Sequence, residues 1–550
     1  MNRGFGSEIL FMLMLGLLVL GTKRLHTILG QAARAKAELE NAPPPHRLHP
    51  SQSLFPSELW FGTSQEGVLL MKTPRYGLVA LALLALTVFV PTTIAHAQAY
   101  SVLYDFGIRV GDPINPSWPG VVAQGRDGNL YSTTAYGGVN GSGAMFKITP
   151  GGTLTVQYSF DSTNGMPESG LTLSTDDGDF YGTTVNGGAA DFGTVFKITP
   201  GGTLTVLHSF AGGNDGQGPV APPIQGTDGN FYYGTTTSGG TNNFGEVYNI
   251  TTSGKLTTLY SFDLTHGANP QAPLLQATDG NFYGTTYQGG TNNFGTVYKI
   301  TRFGKFTLLH SFDDRDGSSP LSALVQGNDG SFYGTTFAGG SHHSGVVFRI
   351  TAAGEYTLLH SIDPFAGEGG SPHAGLVQAT DGNLYGTTTL DSGGGSAGTI
   401  FRISPKSPYS YKVLYTFQRH GIKGDTPQVA LVQHTNGILY GDTASGGNGV
   451  VGCENNYGCG VFYSLNVGLG PFVSFLPPLY FGEVGRAIQI IGQGFTGTTR
   501  VSFNGSNANF NVSSDTFLTA IVPDGATTGF VTVTTPGGTL KSNRKFRVIP

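Results

Sequence analysis

The sequence predicts an all-β protein. It reads as a seven-bladed β-propeller of four-stranded blades followed by a small β-sandwich, with short membrane helices ahead of both. Three observations carry this reading. The segment Asp279-Gly280-Asn281-Phe282-Tyr283-Gly284-Thr285-Thr286 has close copies starting at Asp127, Asp177, Asp228, Asp329, Asp381 and Asn436, at intervals of 50 to 55 residues. Self-similarity at such a period marks a repeat architecture. Each repeat holds four short apolar or alternating runs separated by turn residues, which suits strands rather than helices. After the last copy, alternating strands follow one another roughly every 8–12 residues, the signature of a sandwich.

The totals agree. Charged residues are 11% of the 550, against roughly 25% in ordinary soluble domains. The 86 glycines show no Gly-X-Y period, which excludes collagen. A net charge of −5 gives no reason to expect nucleic acid. Two cysteines, Cys453 and Cys459, cannot hold the whole fold.

In chain order, residues 1–42 come first. An apolar run over residues 9–20 barely spans a bilayer, which needs about 20 such residues. Gly21-Thr22-Lys23-Arg24-Leu25 and a helix-prone stretch over residues 31–40 follow. With Phe5-Gly6-Ser7-Glu8, this pattern resembles the N-terminus of the twin-arginine translocase TatA/TatB family, although Thr22 stands where that family has proline. Residues 43–70, with Pro43-Pro44-Pro45, read as an unstructured linker. Residues 71–97 read as a secretory signal peptide. Lys72 and Arg75 are basic, residues 77–90 are apolar, and Ala95-His96-Ala97 is a cleavage site. A signal peptide inside a chain reads as a translation start assigned too far upstream; a fusion that anchors the protein before cleavage is the alternative. Membrane contact is expected only through residues 1–42 or an uncleaved signal peptide.

The propeller is expected over residues 98–467. In one unit, residues 272–276 form the inner strand and the Asp279-Gly280 turn leads to a second strand at 282–286. A loop at 288–295, a third strand at 296–301 and a fourth at 306–312 complete it. The last repeat lacks its fourth strand, while Val102-Leu103-Tyr104-Asp105-Phe106 carries that pattern ahead of the first repeat. Residues 101–106 should therefore supply the outer strand of the blade holding Leu439, removing an open sheet edge. The repeated Asp-Gly-Asn-Phe-Tyr-Gly-Thr-Thr and Gly-Thr-Val-Phe-Lys-Ile-Thr, as at residues 193–199, resemble the bacterial GloVer tandem repeat. That resemblance implies a secreted or surface-anchored protein and transfers no catalytic residue. The blade motif is also similar to the sensor propellers of two-component regulators. Over residues 468–550, Gly492-Gln493-Gly494-Phe495, residues 501–505 and residues 531–538 resemble the IPT/TIG immunoglobulin-like domain, which implies a spacer or contact module.

Strand alternation puts the Asp-Gly turns on one face and the longer second-to-third-strand and inter-blade loops on the other. The loop face is the default binding face. It carries Trp118, Tyr136, Phe192, Phe244, Tyr287, Phe294 and Phe337, aromatics that suit a glycan or a protein ligand. Phe192, Phe244 and Phe294 share one repeat position, so pinning their own loops is the simpler role. The Asp-Gly turns lack the spaced carboxylates of a calcium loop, and His342-His343 lacks further ligands, so no metal site is assigned. Gln124, Gln225, Gln276, Gln326, Gln378 and Gln433 end inner strands and are read as satisfying backbone groups between blades. No nucleophile elbow, phosphate loop or lone carboxylate pair stands out, so no catalytic residue and no cofactor is assigned. Repeat symmetry breaks near Cys453. Cys453 and Cys459 are expected to form a disulfide in the oxidising compartment, stiffening the loop over residues 445–460 on the binding face. The leading expectation is a secreted or surface binding or scaffold protein. An extracellular carbohydrate-active enzyme and a membrane-anchored translocase-related fusion are the alternatives.

Overall fold

The computed structural model describes residues 98–116, 121–229, 231–390, 397–453, 458–476 and 480–549. The TatA/TatB-like segment, the linker, the signal peptide and Trp118 lie outside the described residues. Among the described residues no helix is long and apolar enough to cross a membrane.

Seven four-stranded antiparallel sheets follow one another. In the fourth, the strands run Leu275–Gln276, Phe282–Thr286, Thr296–Ile300 and Phe306–Ser311, ordered from inside to outside. The inner strand is shorter than the expected 272–276. Pro273 has no N–H to donate to a ladder. Lead-in carbonyls of the inner strands instead serve the neighbouring blade: Thr285 Oγ1 donates to Ser322 O (3.3 Å) and Thr335 Oγ1 to Ala374 O (3.3 Å).

The seventh sheet closes the ring with both ends of the chain. Val432–Gln433, Leu439–Asp442 and Val461–Asn466 are joined by Ala99–Asp105, which pairs antiparallel with Val461–Asn466. The outer strand is Ala99–Asp105 rather than 101–106; Phe106 follows it, its N–H still bonded to Gly460 O (3.0 Å) and its ring fully buried. Its bulge between Val102 and Tyr104 repeats the bulge between Val297 and Tyr298 in the fourth blade. The borrowed strand therefore has the same local geometry as a native one.

The Phe-Tyr dipeptide of the motif explains the packing between blades. Adjacent strand residues point to opposite faces. Tyr283 accordingly stacks on Phe332 of the next blade at 4.0 Å, and Tyr233 on Phe282 at 4.0 Å. The same tyrosine reaches back to its own turn: Tyr283 Oη donates to Asp279 Oδ2 (2.8 Å), and Tyr333 Oη to Asp329 (2.9 Å). The aspartates of these turns are occupied by tyrosines and turn amides. Gly284 is required because a Cβ there would sit 2.5 Å from the Tyr298 hydroxyl.

The glutamines form an inter-blade ring. Each Oε1 accepts a backbone N–H from the Asp-Gly turn of the preceding blade, from Gln124 on Thr435 to Gln433 on Thr380, at 2.8–3.0 Å. The second blade has Leu173 in this place, paired with Phe180 as Gln276 is with Phe282.

Residues beyond the ring form two packed sheets. One contains Ser474–Phe475, Ala487–Ile491, Phe517–Ile521 and Phe510–Ser514; the other contains Phe481–Glu483, Gly538–Ile549, Gly529–Thr535, Arg500–Phe503 and Ser506–Asn507. Ile488, Ile490, Phe503, Leu518, Val531, Val533 and Phe546 fill the space between them. This immunoglobulin-like module sits on the Asp-Gly turn face. Leu476 and Ile491 bury against Leu173 and Tyr131, where the glutamine ring is interrupted. Arg126 Nη2 donates to Thr175 O (2.7 Å) and Gln489 Oε1 (2.9 Å), and Thr516 Oγ1 donates to Arg126 O (2.7 Å). Gln493 Nε2 reaches Thr435 Oγ1 at 2.8 Å. A cavity of about 300 Å³, lined by Val122, Gln124, Leu173, Ile224, Phe475 and Leu476, is left at this junction.

Candidate functional site

With the module on the turn face, the longer loops remain on the other face, and their local chemistry repeats. The outer strand ends in Tyr or His, then Ser (Asp105 and Thr416 in two blades), then Phe (Ile362 in one). In four blades the His or Tyr bonds to a carboxylate in the following connector: His208 to Asp215 (3.0 Å), His310 to Asp316 (2.8 Å), His360 to Glu368 (2.6 Å) and Tyr104 to Asp112 (2.9 Å). The carboxylate also accepts a backbone N–H of the connector, as Asp112 does from Ile108 and Arg109. The serine hydroxyl caps the neighbouring loop, Ser311 Oγ accepting from Thr291 N (2.8 Å). The histidines are thus structural locks. Their spacing to the acid varies, which is why the pairing was not visible in the sequence. Burial and then Asp112 hold the Tyr104 phenol above its ordinary range, so it stays protonated and donates.

Among the expected ligand aromatics, Tyr136 is 45% exposed and borders a cleft of about 440 Å³. Phe192 is 38% exposed, and its carbonyl accepts Gly218 N–H (3.0 Å) from the next connector. Phe244 and Phe294 are half-buried against neighbouring core, their carbonyls accepting Asn269 N–H and Ser319 N–H (2.8 Å each). Tyr287 is half-buried, with its N–H on Asn269 O (3.1 Å). Phe337 lies edge-on to the His373 ring at 4.7 Å. The six described residues are spread over successive blades, and the structure does not bring them together as one platform.

The cleft beside Tyr136 lies between the connector that follows Ala99–Asp105 and the disulfide loop. Arg109, Val110, Asp112, Asn115, Tyr136 and Val451 line it. Pro113–Ile114 pairs with Tyr136–Gly137 to form its floor. Cys453 and Cys459 are bonded, with Cα atoms 5.6 Å apart, within the usual span for a disulfide. Cys459 is fully buried and its carbonyl accepts Asn115 N–H (2.9 Å), the bond that Phe244 and Phe294 make in their blades. The disulfide therefore pins this loop where three other blades use the phenyl ring of Phe192, Phe244 or Phe294. Around the cleft stand Val110, 91% exposed, and Val139, 77% exposed, together with Ile108, Val450 and Val451. Side chains so exposed in one place mark a contact surface better than isolated ones do. Arg109, Asp112, Asn115 and Val451 were not singled out in the sequence, because they fall outside the repeat motif.

Two buried carboxyl groups also break the repeat. Asp442 stands where six blades have Thr133, Thr183, Thr235, Thr285, Thr335 and Thr387. It is wholly buried, neither oxygen has a hydrogen-bond partner among the described residues, and burial pushes its pKa up to about 8. Glu246 stands where the fourth blade has Thr296, and burial pushes it up to about 7. Thr258 Oγ1 donates to its Oε2 at 3.3 Å. No group of three or more metal-ligating side chains occurs among the described residues.

Residues 118–328 and 304–470 match the model of the Gloeobacter/Verrucomicrobia repeat, and residues 472–548 match the IPT/TIG domain. No curated protein matches the chain. Among solved structures, PorZ, a bacterial surface component of the type-IX secretion system of Porphyromonas gingivalis, is 14% identical, covering 82% of this chain and 61% of its own, with a TM-score of 0.43. A putative 6-phosphogluconolactonase from Bacteroides uniformis is 16% identical, covering 62% of this chain and 99% of its own, with a TM-score of 0.41. A protein of unknown function from Bacteroides thetaiotaomicron is 13% identical, covering 67% and 76%, with a TM-score of 0.38. Likenesses at this level carry no functional argument.

Proposed function

The chain belongs to the Gloeobacter/Verrucomicrobia repeat family, and from that premise we propose that it is a secreted or cell-surface binding or scaffold protein without catalytic activity. Repeat and immunoglobulin-like modules together fit an extracellular or surface protein. In this reading residues 98–467 form the binding ring and residues 468–550 the module that supports it. The ligand, a glycan or a protein, contacts the loop face. The observation that carries the reading is the position of the module. It packs on the turn face through Leu476, Ile491, Arg126 and Gln489, leaving the loop face available. On that face the cleft of about 440 Å³ falls within the usual range of ligand clefts, roughly 300–1,000 Å³. Its exposed valines and Tyr136 provide apolar contact, and Arg109 and Asn115 provide polar groups.

An enzyme on this scaffold would need carboxylates from several blades converging on the loop face. Asp112, Asp215, Asp316 and Glu368 are instead each tied to the outer strand of an adjoining blade. This favours the binding reading. A glycan array and a surface-protein pull-down with the full chain test it. Retention of one glycan class or one protein, weakened by Tyr136→Ala, is expected. Silence in both assays with turnover of a polysaccharide would reject the proposal.

A further inference from the structure

The immunoglobulin-like module carries a basic strand whose side chains have no acidic partner among the described residues. Within Gly538–Ile549 stand Lys541, Arg544, Lys545 and Arg547, in a chain whose net charge is −5. Among the described residues, the lysine and arginine ion pairs to carboxylates are those of Lys197 and Arg349, not of this strand. Arg544, Lys545 and Arg547 line a cleft of about 260 Å³ between the module and the Asp-Gly turns of the fourth and fifth blades. The remaining lining comes from Thr278, Gln326, Gly327, Asn328, Gly330, Tyr480, Thr528 and Phe530, so three cations face no carboxylate. The nearby turn aspartates are engaged, Asp279 by Tyr283 and Asp329 by Tyr333 and Arg349.

Two aromatic rings stand among these charges. Arg544 lies over the Tyr480 ring at 4.9 Å, and Lys541 Nζ is 3.8 Å from the centre of the Phe530 ring. Lys545 is the cross-strand partner of Phe530. Arg547 reaches across the seam, Nη1 donating to Thr278 O at 3.1 Å, which holds the strand beside the turns. Lys541, Lys545 and Arg547 are exposed.

We propose that this seam is a second binding site, for an acidic polysaccharide of the polyuronate type. The faces of Tyr480 and Phe530 hold Arg544 and Lys541 in place, and the strand's cations take the carboxylates of the polysaccharide through charge-assisted hydrogen bonds. The exposed amide of Asn328 and hydroxyl of Thr528 can bond ring hydroxyls. A bilayer surface fits less well, because no large apolar side chain in the lining projects outward to insert. The site lies on the face opposite the loop-face cleft and does not rest on the function proposed for that face.

The test measures binding of the full chain to polygalacturonate, to uncharged dextran and to phosphatidylglycerol vesicles. Polygalacturonate should bind at low salt and be released at about 0.5 M salt, where the screening length is only a few ångströms. Dextran and vesicles should not bind. Lys545→Glu should weaken polygalacturonate binding about tenfold, with Lys541→Glu acting in the same direction. Arg419→Glu, an equal charge change in the exposed connector after Tyr411–Thr416, should leave it unchanged. Absence of polygalacturonate binding would overturn the site, as would binding indifferent to Lys545→Glu or equally weakened by Arg419→Glu. Vesicle binding abolished by Lys545→Glu would assign the cations to a lipid surface and overturn the polysaccharide reading.

Discussion

Blade four follows the repeat throughout, whereas blade seven departs from it at several positions, three of which bear on the closure. Its outer strand comes from the other end of the described chain, as Ala99–Asp105. Asp442 replaces the threonine that Thr285 represents in blade four. Cys459, bonded to Cys453, replaces the phenyl ring that Phe294 supplies. The ladders are otherwise alike, down to the bulge in the outer pair. Backbone pairing thus tolerates a change of connectivity, because it needs only an edge with matching donors and acceptors. Side chains at the closure are less constrained by the repeat, and the loop-face cleft opens there.

The largest expected contrast concerns connectivity. Removing residues 98–107 takes away the outer strand of blade seven and the buried Phe106 ring. The ring alone is worth about 3–5 kcal/mol, and the exposed edge should promote self-association. Chemical denaturation and light scattering check this. An unchanged midpoint with no added association would break the view that the two blades are equivalent sheets.

Next in size is the disulfide. Cys453→Ser with Cys459→Ser frees a short loop, which should cost about 2–3 kcal/mol at most. Adding reductant should have the same effect on the wild type and none on the double variant. If loss of the bridge changes ligand capture as well as stability, the loop is part of the binding face; if it changes stability alone, its role is confined to pinning the loop.

The smallest contrast depends on pH. The folded-state pKa of Asp442 is raised above its unfolded value, so its contribution is intact below about pH 4. Stability is then lost as pH rises toward the folded value of about 8. Asp442→Thr, which restores the residue of the other blades, should stabilise the protein at pH 8 by about 2 kcal/mol and leave it little changed at pH 4. Thr285→Asp should do the reverse in blade four. Denaturation midpoints at the two pH values check both, and a pH-independent effect of Asp442→Thr would remove the assignment of a buried, protonated carboxyl group.

The sequence by itself determined the number of blades, their four strands, the closure by the first described strand, and the sandwich beyond them. It could do so because local rules set these features. Asp-Gly sets a turn, alternation sets a strand, and seven repetitions of Phe-Tyr-Gly or its variants leave each blade a face to bury on the next. The glutamine ring was legible for the same reason, since Gln276 and its counterparts recur at one place in each unit. Only the tertiary structure decided the rest. Where the immunoglobulin-like module docks depends on Leu173 interrupting the ring and on Arg126 meeting Gln489, two residues 363 apart in sequence. That His310 locks onto Asp316 while Tyr104 locks onto Asp112 follows from connector paths of different length. That Tyr136 borders a cleft while Phe294 is absorbed into core follows from what each loop meets across the ring. A repeat specifies what every blade shares, but a site is built from the positions at which blades differ, and those meet only when the ring closes.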